Sequence, residues 1–170
     1  MAENLNYAAP TSICYDNIAS NCNVYGKLYD WNTLMAGAGS SNSNPSKVQG
    51  VCPNGWHVPS SAEFSVLVET LGGAAIAGGA MKSVTGWGSL NTGATNSSGF
   101  SAIPAGYAIA LGSPGVTSSG AGIYASFGSS TIGNGNGTQA VYQMSNGEQS
   151  VGYVDGLLNE GNSCRCVKDP

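Results

Sequence analysis

The stretch Cys52–Gly73, CPNGWHVPSSAEFSVLVETLGG, carries the clearest structural signals in the chain. Its residues 53–55, Pro-Asn-Gly, form a strong turn signal. Ser60 lies three residues before Glu63, the spacing of a capping box, which satisfies free N–H groups at the start of a helix. Apolar residues then recur at i, i+3, i+4 and i+7, at Phe64, Leu67, Val68 and Leu71. We therefore predict a helix that starts after Ser60 and ends at Gly72-Gly73.

The segment before this stretch predicts a second short helix. The large apolar or aromatic side chains of Val24–Ala36 include Tyr25, Leu28, Tyr29 and Trp31. A loop of Gly, Ser and Asn follows at residues 37–46, so we expect the helix to end near Ala36.

The segment after it predicts short strands, and the clearest of these form a hairpin. Asn146-Gly147 separates Ala140–Ser145 from Glu148–Tyr153, and Asn-Gly between alternating runs indicates a two-residue hairpin turn. That pairing places a mostly apolar set on one face, which we expect to meet the core: Ala140, Tyr142, Met144, Gln149, Val151 and Tyr153. Tyr142 and Tyr153 are therefore interpreted as packing residues rather than ligand contacts.

The chain ends with a further predicted strand, Ser163–Val167. Two helices followed by several strands predict an α+β fold, with two short helices, antiparallel strands and long Gly/Ser/Asn-rich loops. We find no internal repeat and no linker, and 170 residues suit one domain over residues 1–170.

The composition points to contact rather than chemistry. Only 8% of residues are charged, against roughly 25% in an average soluble protein, and 26 are Gly. Such a surface has little charge repulsion against association. Five Lys and Arg residues are too few for a nucleic-acid partner. No stretch reaches the ~18 apolar residues of a membrane span, and no signal peptide opens the chain.

Five cysteines indicate an oxidising compartment: Cys14, Cys22, Cys52, Cys164 and Cys166. The odd number leaves one sulfur over. The sequence contains no Cys-x-x-Cys and a single histidine, His57, so the spacings do not suit a zinc site. Cys14 and Cys22 are eight residues apart and could close one loop, and a bridge from Cys52 to Cys166 would close a loop of over 100 residues.

Seven short motifs, in order over nearly the whole chain, resemble one family. They are MAENLNY (1–7), CYD (14–16), YGKLYDW (25–31), CPNGWHVPS (52–60), GFSAIPAGY (99–107), SST (129–131) and RCVKD (165–169). These blocks are similar to those of the Fibrobacter succinogenes major paralogous domain. The resemblance implies a C-type-lectin-like fold, distantly similar to formylglycine-generating enzymes. It also implies an extracellular protein at the surface of Fibrobacter or Bacteroidetes-type bacteria.

The resemblance, together with the spacing, favours the disulfides Cys14–Cys22 and Cys52–Cys166 and leaves Cys164 unpaired. The family commonly has Val at this last position, which favours an inert buried thiol. Three alternatives stay open: an intermolecular disulfide, a pairing with Cys52, and a copper or redox role by analogy with formylglycine-generating enzymes.

Few residues of the sequence indicate a ligand site. The family often reads Trp-Trp-Ser-Ser-Thr-Glu where this chain has FGSSTI at residues 127–132, which removes an aromatic and a carboxylate. The calcium-dependent sugar motifs of C-type lectins are absent. Tyr124 and Phe127 are the candidate contacts for a sugar or an interface, with core filling as the alternative. His57 lacks an evident catalytic partner, so we interpret it as structural.

Together these patterns predict a non-catalytic extracellular domain of the bacterial cell surface, without a cofactor. Its first predicted role is a structural or self-assembling component of an appendage, filament, sheath or surface layer, whose partners are its own copies or other surface proteins. The second is an adhesion module that binds glycan or protein through loops of the second half.

Overall fold

The structure, a computed structural model that describes all of residues 1–170, is an α+β fold. Its helices are a 3₁₀ turn (Tyr15–Asn17), α1 (Ala19–Tyr25), α2 (Trp31–Met35), α3 (Ser61–Thr70) and α4 (Ala74–Met81). Its strands are β1 (Trp56–His57), β2 (Ala105–Ile109), β3 (Thr117–Ala121), β4 (Tyr124–Ile132), β5 (Thr138–Ser145), β6 (Gly152–Leu157) and β7 (Val167–Lys168). The predicted fold class is confirmed at the level of α+β.

Helix α3 forms as predicted. The Ser60 side chain accepts a hydrogen bond from the Glu63 N–H, at 3.1 Å, and the Glu63 carboxylate accepts one from the Ser60 N–H, at 2.9 Å. The helix ends at Thr70 because Gly72 and Gly73 both have positive φ, at 96° and 94°. The chain then turns directly into α4, which the sequence analysis missed.

The predicted helix over Val24–Ala36 is wrong. The structure has two helices here, α1 and α2, because Gly26 takes a φ of 73° and breaks the helix. A side chain at Gly26 would also crowd the backbone of Leu5. Asp30 then caps α2, since its Oδ1 accepts a hydrogen bond from the Thr33 N–H at 2.7 Å.

Five strands form one sheet in the order β3-β2-β4-β5-β6, and β1 pairs with β7 in a second, two-stranded sheet. The larger sheet is mixed rather than antiparallel throughout, because β2 and β4 run parallel, with Gly106 opposite Ala125. The predicted strand Ser163–Val167 is mostly wrong. Ser163 makes one isolated bridge to Phe127, and regular pairing is limited to β7.

The β5–β6 hairpin exists, but its register differs from the prediction by two residues. A two-residue turn would pair Val141 with Gly152, whereas the structure pairs Gln143 with Gly152. The intervening loop is longer because α4 holds it: the Val151 N–H donates to the Ala74 carbonyl at 2.9 Å. A shift of two residues keeps every side chain on its predicted face. Tyr142 is buried as expected, whereas 42% of the Tyr153 surface is exposed.

The main core lies where α3 and α4 pack on the sheet. It has eleven buried members: Phe64, Val68, Ala77, Met81, Trp87, Ala102, Ala125, Phe127, Tyr142, Met144 and Val151. A second core surrounds the C-terminal cysteines: Tyr29, Leu34, Val51, Cys52, Val58, Cys164 and Cys166.

No single helix has the length and apolar character to cross a membrane. The pair α3 and α4, bent by 89° where they meet, passes that test jointly on length and composition alone.

Candidate functional site

The two aromatic residues predicted as ligand contacts have different environments. Phe127 is wrong as a surface contact, because its side chain is fully buried in the main core and packs edge-on against Phe100, with ring centroids 5.2 Å apart. Its position in the middle of β4, covered on both faces, explains the burial. Tyr124 begins the same strand and is only partly buried, with Tyr107 beside it at 6.4 Å. Tyr124 alone stays a candidate.

The cysteines form the two disulfides that the spacing and the resemblance favoured. Cys14 is bonded to Cys22 and Cys52 to Cys166. The second bond joins the segment before α3 to the segment before β7, 114 residues apart in sequence. Cross-links over long loops remove the most conformational entropy from the unfolded chain, so this bond is the larger stabilising contribution of the two.

Cys164 is a free thiol with no access to solvent. Burial raises the pKa of the Cys164 thiol to about 12, so it is protonated at neutral pH and a poor nucleophile. Its sulfur lies 3.8 Å from that of Cys166, and the sulfurs of Cys52, Cys164 and Cys166 all lie within 4.8 Å of one another. Only after reduction of the disulfide would the three offer thiolates to a soft metal ion. This environment supports the prediction that Cys164 is an inert buried thiol.

His57 joins three parts of the chain. Its Nε2 lies 2.8 Å from Oε1 of Glu63, and its Nδ1 lies 2.7 Å from Oδ1 of Asp169. An ionised carboxylate only accepts hydrogen bonds, so both ring nitrogens must carry protons for both contacts to be hydrogen bonds. Burial by itself lowers the pKa of His57, but the hydrogen bonds to Glu63 and Asp169 outweigh it and raise the pKa overall. The ring therefore acts as a cationic link between α3 and the C-terminal tail.

Two other cations are buried, and the sequence analysis missed both. The Lys82 ammonium donates to the carbonyls of Thr92, Ser145 and Glu148, at 2.6–3.0 Å. Because three carbonyls surround it, this lysine joins the loop after α4 to the connection between β5 and β6.

Arg165 is the second buried cation. Its guanidinium donates to the carbonyls of Phe100 and Ser101 and to the side-chain oxygen of Asn4. Burial lowers the pKa of Arg165 to about 10, which still leaves it charged at neutral pH. No local pattern in the sequence distinguishes Lys82 and Arg165 from its other cationic side chains.

The two edges of the large sheet are treated differently. The 3₁₀ turn packs against part of the β3 edge: the Asp16 N–H donates to the Ser118 hydroxyl at 2.9 Å, and the Ala121 N–H donates to the Tyr15 hydroxyl at 3.4 Å. The β6 edge is open, because residues 152–156 make no backbone hydrogen bond outside the ladder with β5. Three β6 side chains with large apolar surface are exposed, by 42% for Tyr153, 40% for Val154 and 57% for Leu157.

The largest cleft lies in the first half of the chain and has a volume of about 840 Å³. The N-terminal segment at residues 5–10, the α2 region and the loop at residues 49–54 form its walls. The Tyr7 N–H donates to the Tyr29 hydroxyl at 2.9 Å, and that hydroxyl donates to the Tyr7 carbonyl at 2.7 Å, which fixes the first wall. The Val51 N–H donates to the Leu34 carbonyl at 3.0 Å, which joins the other two.

Comparison with known proteins gives one match. A family model described as the Fibrobacter succinogenes major domain matches residues 1–168. Searches of the curated proteins and of the solved structures found no match. The C-type-lectin-like topology therefore stays a prediction, while the family that the sequence motifs indicated is confirmed. The chain belongs to the Fibrobacter succinogenes major domain family.

Proposed function

We propose that the chain is a non-catalytic extracellular domain of the bacterial cell surface that acts as a structural, self-assembling component, and that two copies join through β6. The observation that carries the proposal is the open β6 edge. Natural proteins usually protect such edges with charged side chains, Pro or bulges, because unpaired strand edges recruit other strands. Strand β6 has no Pro, no Lys and a single carboxylate, Asp155.

That carboxylate offers little repulsion to a second copy. Its Oδ1 already accepts hydrogen bonds from the Tyr153 hydroxyl, at 2.7 Å, and from the Asn134 N–H, at 2.8 Å. Both contacts spread its charge over neighbouring donors. Two β6 strands can therefore approach with only one partly compensated carboxylate each, and Val154 and Leu157 can lose exposed apolar surface in the contact.

The geometry favours a closed pair as the first step of assembly. Since the 3₁₀ turn packs against β3 at Ser118 and Ala121, β6 is the less obstructed edge of the large sheet in each copy. A contact that uses the same strand on both copies is isologous and closes after two subunits. Larger assemblies would then use other surfaces of the pair.

The environments of two potentially reactive side chains, His57 and Cys164, support the non-catalytic part of the proposal. The single histidine is hydrogen-bonded through both ring nitrogens, so neither is free to accept a proton. The single free thiol is buried and protonated. Neither group is available to a substrate.

The experiment is sedimentation velocity from micromolar to millimolar protein, without reductant. We expect a concentration-dependent dimer for the wild type and a monomer for Val154→Lys, which adds a charge to the open edge. The matched control is Thr117→Lys, which adds the same charge to the other edge strand, β3, and should dimerise like the wild type. A folded wild type that stays monomeric at millimolar concentration contradicts the proposal, as does equal weakening by both variants.

A further inference from the structure

The cleft of about 840 Å³ between the N-terminal segment, α2 and the loop at residues 49–54 has a lining that selects for one class of ligand. We infer that this cleft binds a neutral oligosaccharide. The inference uses no residue of β6 and is independent of the proposed dimer. It also differs from an adhesive site in the second half of the chain, where Phe127 is buried.

The lining of the cleft carries no charge. None of the 14 residues that line the cleft is charged. A phosphate, an acidic sugar or a charged peptide would lose hydration there without gaining an opposite charge, and burying an unpaired charge is costly. The ligand that fits is uncharged.

The cleft also presents hydrogen-bonding groups that have no partner within the protein. The Asn32 side chain has no partner within the protein. The Gln49 side-chain nitrogen donates to the Asn54 side-chain oxygen at 3.0 Å and to the Cys52 carbonyl at 3.2 Å. These bonds fix both amides and leave the Gln49 oxygen and the Asn54 nitrogen free. An acceptor and a donor held in place suit hydroxyl groups, which donate and accept at once.

One aromatic side chain, Tyr7, lines the cleft. Tyr7 is 59% exposed, and its hydroxyl makes no hydrogen bond within the protein, although its backbone is fixed by Tyr29. An exposed ring on a backbone that is held in place can cover the C–H face of a sugar, and Pro10 and Pro53 supply further apolar surface. Apolar walls with a few placed polar groups are the usual composition of a ligand site, and the volume lies within the range of roughly 300–1,000 Å³ for such sites.

Two walls of the cleft, α2 and the loop at residues 49–54, are held in place by other parts of the protein. Asp30 caps the helix that carries Asn32, and the Cys52–Cys166 disulfide anchors the loop that carries Gln49 and Asn54. Because these walls are fixed before binding, little conformational entropy is lost when a ligand enters.

The test is binding of wild-type protein to an immobilised panel of neutral gluco-, manno-, xylo- and galacto-oligosaccharides, with oligomers of uronic acids as charged counterparts. We expect retention by at least one neutral oligosaccharide and by no acidic one. Tyr7→Ala and Asn32→Ala should each weaken that binding by about tenfold, the value of one lost contact. Both side chains are exposed or unpartnered, and near-ultraviolet circular dichroism checks that the variants are folded.

The matched control is Tyr25→Ala, which removes a partly exposed tyrosine of α1 outside the cleft and should bind like the wild type. Repeating the panel with Val154→Lys separates this inference from the dimer, since a monomer should bind equally well. The inference is overturned if no neutral oligosaccharide binds at millimolar concentration, if acidic ones bind better, or if neither cleft variant weakens binding.

Discussion

The C-terminal tail and strand β6 are neighbours in sequence, but many contacts hold the tail to the rest of the protein and few hold β6. The tail, residues 163–169, is held by a disulfide, by the His57–Asp169 ion pair and by the hydrogen bonds of Arg165. Strand β6 ends six residues earlier and has only its ladder with β5 on one side. A chain with so few charges has used several of them to close the tail and has left the sheet edge almost without any.

The buried cations also change how the low content of charged residues is interpreted. Lys82 and Arg165 are buried, and His57 is paired inside the protein, so the surface is less charged than the sequence suggests. Scarce charge here indicates specific internal contacts together with an outer surface that tolerates contact with other molecules.

Breaking the disulfide of the tail should have the largest effect. The double variant Cys52→Ser/Cys166→Ser should lose about 4–5 kcal/mol of unfolding free energy, because the bond closes a loop of 114 residues. Urea denaturation measures it. The matched control, Cys14→Ser/Cys22→Ser, opens a loop of only eight residues and should lose about 2–3 kcal/mol. Equal losses would show that loop length is not the cause.

Removing the Arg165 charge should have the next largest effect. Arg165→Met should cost about 3 kcal/mol of unfolding free energy, because it leaves the carbonyls of Phe100 and Ser101 and the Asn4 oxygen without their donor. Arg165→Lys keeps the charge and should recover part of the loss. A loss of under about 1 kcal/mol for Arg165→Met would mean that water replaces the guanidinium.

The ion pair of the tail predicts a pH dependence of stability. The folded pKa of His57 is raised above its ordinary value of about 6.5, so its contribution is fully present below about pH 6.5 and is lost as pH rises through the folded value. Unfolding free energies between about pH 5.5 and about pH 9 should therefore fall with rising pH. In His57→Gln this decrease should be smaller than in the wild type, although Cys164 still contributes a decrease near pH 9, since its pKa is also raised on folding. An equal change with pH in the two proteins contradicts the doubly hydrogen-bonded cation.

Changes on β6 should have the smallest effect on stability. Val154 is exposed and lies on an edge, so Val154→Lys should alter the unfolding free energy of the monomer by less than about 0.5 kcal/mol while it removes association. Chemical denaturation at micromolar protein measures the first quantity. A large destabilisation would mean that the edge supports the fold itself.

The sequence predicted the elements whose signals are local. The capping box and apolar stripe of α3 needed no distant contact, and both formed. The helix over Val24–Ala36 failed because Gly26 passes close to the backbone at Leu5, a contact between segments far apart in sequence. The hairpin register failed for the same kind of reason, since Ala74 and Lys82 hold the loop that follows β5.

The site was harder to predict than the fold. The disulfide pairs followed from spacing and family resemblance, but the burial of Phe127 depended on which strands flank β4. The cleft unites Tyr7, Asn32 and Gln49 from three segments, none of which carries a binding motif. The open edge of β6 likewise depends on strand order, which alternation of side chains does not determine.

The most direct test of the central claim is amide hydrogen exchange at low and high protein concentration. The account predicts that the N–H groups of residues 152–156 that point away from β5 exchange fast in dilute protein and slow at high concentration, while those of β3 exchange alike in both. Protection of β6 that does not change with concentration, or protection gained at β3 instead, would contradict the claim that copies join through the open edge.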